Sequence, residues 1–226
     1  MSNFENYIKI IRSRKRRTVE LKITPEPAIV LRVPIFMSEN EIKGIVSRHT
    51  KWIEKNFNRM NQIKKETPSR NFVSGEKFLY LGKYYTLYIV KSSEPHLKFN
   101  GKFILPYELH SNARREFVIW YKKTAFNILT KRVEYFSRVS GFSYNRIKIT
   151  GAQKRWGSCS NKKNLSFSFR LVMAPLSIID YVVVHELSHT VCMNHSEKFW
   201  NLVSSIMPDF FRRREWLKQN GYKLYI

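Results

Sequence analysis

The chain has 226 residues, 43% of them hydrophobic and 15% aromatic, enough to bury the core of one domain, or of a catalytic domain with a small extension, and too many for a disordered chain. Lys and Arg number 41 against 17 Asp and Glu, a net charge of +24 that reads either as a field attracting polyanions, nucleic acid above all, or as compositional drift in a chain also rich in Asn, Ile, Phe and Tyr. No apolar run is long enough to cross a membrane and the opening M-S-N-F-E-N-Y-I-K lacks the apolar core of a signal peptide, so the expected compartment is the cytoplasm.

Residues 6–34 carry three short β-type runs, Y-I-K-I-I, T-V-E-L-K-I-T and A-I-V-L-R-V-P, with Pro25 and Pro27 as turn residues between the last two. The densest basic run, Arg12 to Arg17, lies between the first two and reads as a solvated strand edge or as a set of phosphate contacts. Ser38, with Glu41 three residues on, is a capping box. It opens a helix to about Lys65, with Ile42, Ile45, Val46, Trp52, Ile53 and Phe57 at helical spacing. T-P-S-R-N at 67–71 reads as a linker, and two strands joined around Gly82 follow. Residues 96–105 form a hairpin about Asn100-Gly101, a type I′ turn signal. Residues 1–105 are thus predicted as a β-rich N-terminal region with one long helix, in which His49 and His96 stand isolated and no chemistry is visible.

The second region, 106–226, opens on the longest predicted helix, 112–140, which Gly141 stops. A strand from Tyr144 to Ile149, a loop Q-K-R-W-G-S-C-S (153–160) and an alternating strand N-L-S-F-S-F-R (164–170) come next. After Pro175 the run Ile178, Ile179 and Val182 to Val184 predicts a helix buried on nearly all sides, with Ser177 and Asp180 as a capping signal. Two short helices, 196–207 and 209–220, complete the chain, with Gly221 as a stop.

The buried helix carries H-E-L-S-H. His185 and His189 are four apart, so both imidazoles stand on one face, one turn above the other. Such a pair is half of a tetrahedral zinc site, and Glu186 beside the first can take a proton from the attacking water without binding the metal. Met193-Asn194 turns the chain and brings His195 back as third ligand, which leaves a fourth position open for catalysis. Cys192 falls between the ligands and reads as a buried free thiol. With Cys159 it makes two cysteines, too few for a disulfide framework. Arg155, Trp156, Phe167 and Ser168 are the candidate substrate-binding residues, because the strand 164–170 beside the zinc helix can pair with an extended peptide or can be an ordinary interior strand. Arg155, Trp156 and Tyr181 are candidate oxyanion donors, and Asp180, Glu197 and Asp209 are candidates for orienting a ligand imidazole.

Taken together, R-W-G-S-C-S, R-L-V-M-A-P-L-S-I-I-D-Y-V-V-V-H-E-L-S-H, N-H-S-E-K-F-W and M-P-D-F with R-R-R-E-W-L resemble the YgjP-like zinc metallopeptidases, relatives of the SprT-like and minimal zincin peptidases. R-S-R-K-R-R-T-V-E-L, W-I-E-K and G-E-K-F-L-Y-L-G-K-Y-Y fit the N-terminal half of that family. The resemblance implies an α+β fold with a zincin-like catalytic region, zinc on His185, His189 and His195, and Glu186 as base. It implies hydrolysis of protein or peptide substrates, and its SprT-like relatives cleave DNA-bound proteins, which suits a basic surface. The alternatives are a nucleic-acid-binding protein with a structural zinc, and a zinc hydrolase of a non-peptide amide.

Overall fold

The computed structural model describes residues 5–24, 28–66 and 69–226. Pro25 and Pro27, and the first two residues of the expected linker, Thr67 and Pro68, lie outside the described residues. The class is α+β, and the chain forms two compact units, Met1–Ser69 and Arg70–Ile226.

In the first unit, β1 (Ile8–Ser13), β2 (Glu20–Ile23) and β3 (Ile29–Pro34) make a sheet in the order β1-β3-β2, with β3 parallel to β1 and antiparallel to β2. The predicted capping box is present: Ser38 Oγ accepts from the Glu41 amide and the Glu41 carboxylate accepts from the Ser38 amide at 2.8 Å. The single helix expected from there is two, α1 (Glu39–Arg48) and α2 (Thr50–Glu66). At the break, His49 Nδ1 lies 2.8 Å from the Ile45 carbonyl and Thr50 Oγ1 donates to the Val46 carbonyl, so side chains compete for the acceptors that a continuous helix would use. Ile29, Ile53 and Phe57 form one small core and Leu31, Val33 and Ile42 another. Part of the basic run is paired, Arg12 with Glu39 and Arg16 with Glu20.

The second unit begins before the boundary expected at 105/106. Its first sheet, β4 (Lys77–Tyr80), β5 (Lys83–Val90), β6 (Lys98–Phe99) and β7 (Phe103–Pro106), runs β4-β5-β7-β6. Phe78 and Phe103 from this sheet pack on Phe117 of α3 (Ala113–Ser140), at ring-centroid distances of 4.2 and 5.0 Å. Tyr121 Oη donates to the Leu79 carbonyl at 2.6 Å. The sheet shares its core with α3, which is why residues 70–105 divide with the C-terminal part.

The primed two-residue turn is at Leu81-Gly82, where both residues have positive φ (48° and 79°), and not at Asn100-Gly101. There the strands pair Phe99 with Phe103, leaving a three-residue loop in which only Gly101 is left-handed. The Leu81-Gly82 tip is useful to the site. Its amides donate to the Val172 and Met173 carbonyls, and a Cβ on Gly82 would lie 2.8 Å from Pro175 Cγ. This tip holds the segment that feeds α4 (Leu176–Ser188), the helix carrying H-E-L-S-H.

A second sheet, β8 (Arg146–Thr150), β9 (Gly157–Cys159) and β10 (Asn164–Ser168), runs β8-β10-β9. β9 lies inside the expected loop 153–160; three residues G-S-C carry no alternation to announce a strand. Gly141, at φ 72°, ends α3 as predicted, and α5 (Glu197–Ile206) and α6 (Phe210–Asn220) follow α4. No helix among the described residues is long and apolar enough to cross a membrane.

Candidate metal centre

α4 is apolar on nearly every face: Ile178, Ile179, Val182, Val183, Val184 and Leu187 are all buried. It starts at Leu176 behind Pro175, so Ser177 is inside the first turn and caps nothing. Asp180, expected as cap partner or ligand-orienting group, instead receives Nε and Nη2 of Arg132 at 2.6 and 2.9 Å, a bidentate pair that ties α4 to α3. Glu197 opens α5, and Asp209 pairs with Arg213; among the described residues no carboxylate bonds a site imidazole.

The helical spacing sets His185 above His189, with ring centroids 4.9 Å apart. The chain then turns and returns His195, whose ring lies 5.0 Å from His185 and 4.7 Å from His189. One nitrogen from each of the three falls within 4.8 Å of the others. Nε2 of His195 and Nε2 of His185 stand 3.1 Å apart, a separation that needs a shared proton or a cation between them. Nδ1 of His189 lies 3.1 Å from the Cys192 carbonyl, which fixes that ring and turns its other nitrogen to the cluster. Nδ1 of His185 is buried without a partner among the described residues.

The frame around the imidazoles is aromatic. Fully buried Phe199 stacks on His189 at 4.4 Å and meets His185 edge-on at 4.9 Å, while Trp200 stacks on exposed His195. Burial, then the neighbouring His189, His195 and Arg214, drives His185 down to about 3, and burial also lowers His189. Both therefore present neutral imidazoles, the form that binds a metal. Three imidazole nitrogen donors in an aromatic shell fit zinc.

Glu186 is 5% exposed, and burial pushes its carboxyl up to about 8 against the pull of Arg155. Gly157 of β9 comes up against it: an added Cβ there would fall 2.5 Å from Oε1. Trp156, Gly157, Tyr181, Val182, His185, Glu186 and Leu217 line a cavity of about 190 Å³ at this point. Tyr181 meets His185 at 5.9 Å, and burial raises its hydroxyl to about 12.

The other candidate positions scatter. Trp156 lines the cavity and Arg155 is exposed nearby, but Phe167 and Ser168 are 0% and 1% exposed, and Ser168 Oγ is spent on the Ala152 carbonyl. β10 is the central strand, paired with β8 on one edge and β9 on the other, so it has no edge left for a peptide. The strand with an unpaired edge beside Glu186 is β9. Cys192 is half-buried, not buried, and its sulfur lies 3.4 Å from Asn194 Oδ1. Arg214, which no motif singles out, reaches the centre from α6: its charge acts on His185 and Tyr181, and its guanidinium sits 4.9 Å over Trp200. Arg214 is itself exposed, and R-R-R-E-W-L offers no local sign of which arginine stands over Trp200; only the packing of α6 on α4 reveals it.

A search of curated proteins finds no match. Among solved structures, the metallopeptidase zymogen of Pyrococcus abyssi abylysin is similar at 20% identity over 42% of this chain and 94% of that one, with a TM-score of 0.38, too distant to inform the site. The model of the YgjP-like, metallopeptidase domain family matches residues 17–220, a span that takes in both units and every residue of the His cluster. The chain belongs to the YgjP-like metallopeptidase domain family.

Proposed function

We propose that the protein is a zinc-dependent peptidase with His185, His189 and His195 as ligands and Glu186 as general base. The observation that carries this reading is the convergence of three imidazoles within 4.8 Å beside a buried carboxylate that none of them engages. Zinc, when bound, supplies Lewis acidity that acidifies water and polarises the scissile carbonyl. Glu186 takes one proton from the attacking water and passes it to the amide nitrogen, so the water oxygen ends on the acyl carbon and the C–N bond breaks with a neutral amine leaving. A carboxyl lifted toward neutrality by burial suits this shuttle, since it accepts and releases a proton near the working pH.

Tyr181 and Arg214 are the groups best situated to steady the negative charge on the former carbonyl oxygen; both act at the His185 end of the cavity. Substrate recognition goes to β9. Its outer edge has no strand partner among the described residues, and main-chain pairing there brings a peptide past Gly157 to Glu186.

The test is metal content and cleavage of an unfolded protein substrate by wild type and Glu186→Gln. Glu186→Gln should keep its zinc and lose about 10²–10⁴-fold in rate. Equal rates would reject Glu186 as base. Equal rates together with zinc-independent function would leave the metal structural.

A further inference from the structure

The two faces of the β4-β5-β7-β6 sheet differ sharply. One carries Phe78, Leu87, Phe103 and Leu105, all buried. The other follows from the register: Lys77 opposite Thr86, Tyr88 opposite Ile104, and Ile104 opposite Lys98, so these residues share a face with Tyr84, Val90 and, opposite Tyr84, the buried Leu79. On this face Tyr84 is 58% exposed, Tyr88 45% and Val90 38%. No core cluster claims either tyrosine. Two large rings thus stand open to solvent on one face of one strand, four residues apart.

The charge on that face names the partner. Lys77 and Lys102 are exposed, and among the described residues neither has a carboxylate within ion-pair distance. Lys102 Nζ stands 4.9 Å over the Tyr88 ring. Glu94, in the loop before β6, is taken by Lys98 at 2.5 Å. Ring faces bordered by unpaired ammonium groups are the combination that holds bases by stacking and phosphates by charge. A protein partner docking through apolar area would meet lysines at each border of the tyrosines, which it would have to neutralise. Tyr84 and Tyr88 lie about 13 Å apart along the strand at ~3.3 Å per residue, so the rings take separate bases of an extended strand. A duplex, whose bases are stacked on one another, offers them nothing.

The geometry points to this sheet face as a binding platform for single-stranded nucleic acid, with Tyr84 and Tyr88 stacking on bases and Lys77 and Lys102 contacting phosphates. The platform acts independently of hydrolysis at Glu186, so its fate and that of the peptidase reading are separate.

The test is anisotropy of a labelled oligothymidylate of about 20 nucleotides, and of a duplex of the same length, titrated with the full-length protein at about 50 and about 200 mM salt. Wild type should prefer the single strand. Tyr84→Ala with Tyr88→Ala should weaken single-strand binding by about fivefold or more per ring while leaving the salt slope unchanged. Tyr84→Phe with Tyr88→Phe, which keeps the ring faces, should restore it. Lys77→Gln with Lys102→Gln should instead flatten the log–log salt slope by about 1.4, at ~0.7 for each phosphate that is no longer neutralised. Unchanged binding by the alanine pair, with circular dichroism showing it folded, would overturn the proposal. Equal or tighter binding of the duplex would overturn it too, and would return the affinity to the diffuse +24 charge.

Discussion

A Cβ on Gly157 would lie 2.5 Å from Oε1 of Glu186 and 2.6 Å from its Cγ, so alanine there must move the carboxylate or the strand. Displacing a catalytic group by about 1 Å can cost ~100-fold in rate. Gly157→Ala is therefore expected to lose about 100-fold in kcat/KM with zinc content intact, measured by cleavage assay and elemental analysis on one preparation. Full activity would mean that Glu186 has another place to go. His195→Ala is the complementary case: it removes a donor, and zinc affinity should fall by more than the ~10–100-fold typical of losing a mere orienting partner. Competition with a chelator of known affinity reads this directly. The two predictions also mark what one chain of letters could reveal at this scale. His185, Glu186 and His189 were legible because helical spacing alone sets their geometry, and His195 because the Met193-Asn194 break is local. Gly157 and Arg214 were not, since each meets the centre only through strand register or helix packing. Between the two readings of strand 164–170, alternation could not choose, because it shows that a strand has two faces but not that both of its edges are occupied.

Among the elements, the Leu81-Gly82 hairpin tip stands out because it supports the approach to α4. Gly82 is left-handed at φ 79°, and a Cβ there would meet Pro175 at 2.8 Å from Cγ and 3.1 Å from Cα. Backbone on the opposing side cannot yield as a flexible side chain would. Gly82→Ala should destabilise the fold by about 1–3 kcal/mol, the usual cost of overpacking, with ~1–2 kcal/mol of strain from the left-handed backbone contributing to it. Thermal unfolding checks it, and an unchanged melting temperature would show the tip to be loosely held. Much of the element order was readable from periodicity: the three N-terminal strands, the Ser38 cap and the Gly141 stop all follow from local chemistry. The failures are places where tertiary partners overrode it. Asn100-Gly101 has the better primed-turn composition, yet Leu81-Gly82 adopts that turn because its amides find the Val172 and Met173 carbonyls. Ser177 has capping chemistry, yet Pro175 starts the helix and Asp180 goes to Arg132.

For the molecule as a whole, the two units carry unequal cores. Among the described residues, the first unit has two clusters of three buried side chains each, whereas the second has one continuous core running from Phe72 to Ile226. Stability in such a chain is not uniform, and the smaller core opens at lower free energy. The three imidazoles proposed as zinc ligands all lie in the second unit, on α4, at its C-cap and on the turn before α5, so an ion bound there would stabilise only the state in which those elements are in place. At a free zinc concentration about a hundred times the dissociation constant, linkage gives ~2.7 kcal/mol, or about 100-fold slower exchange for amides that open only with the whole unit. Hydrogen–deuterium exchange with and without zinc should then show β1 to β3, α1 and α2 exchanging early in both conditions, and α3 and α4 slowed about 100-fold by the metal. Removing the ion with a chelator should reverse the slowing without touching the first unit. Uniform slowing along the whole chain would show the units to unfold as one, and slowing confined to 185–195 would show that the metal organises its own loop and nothing more.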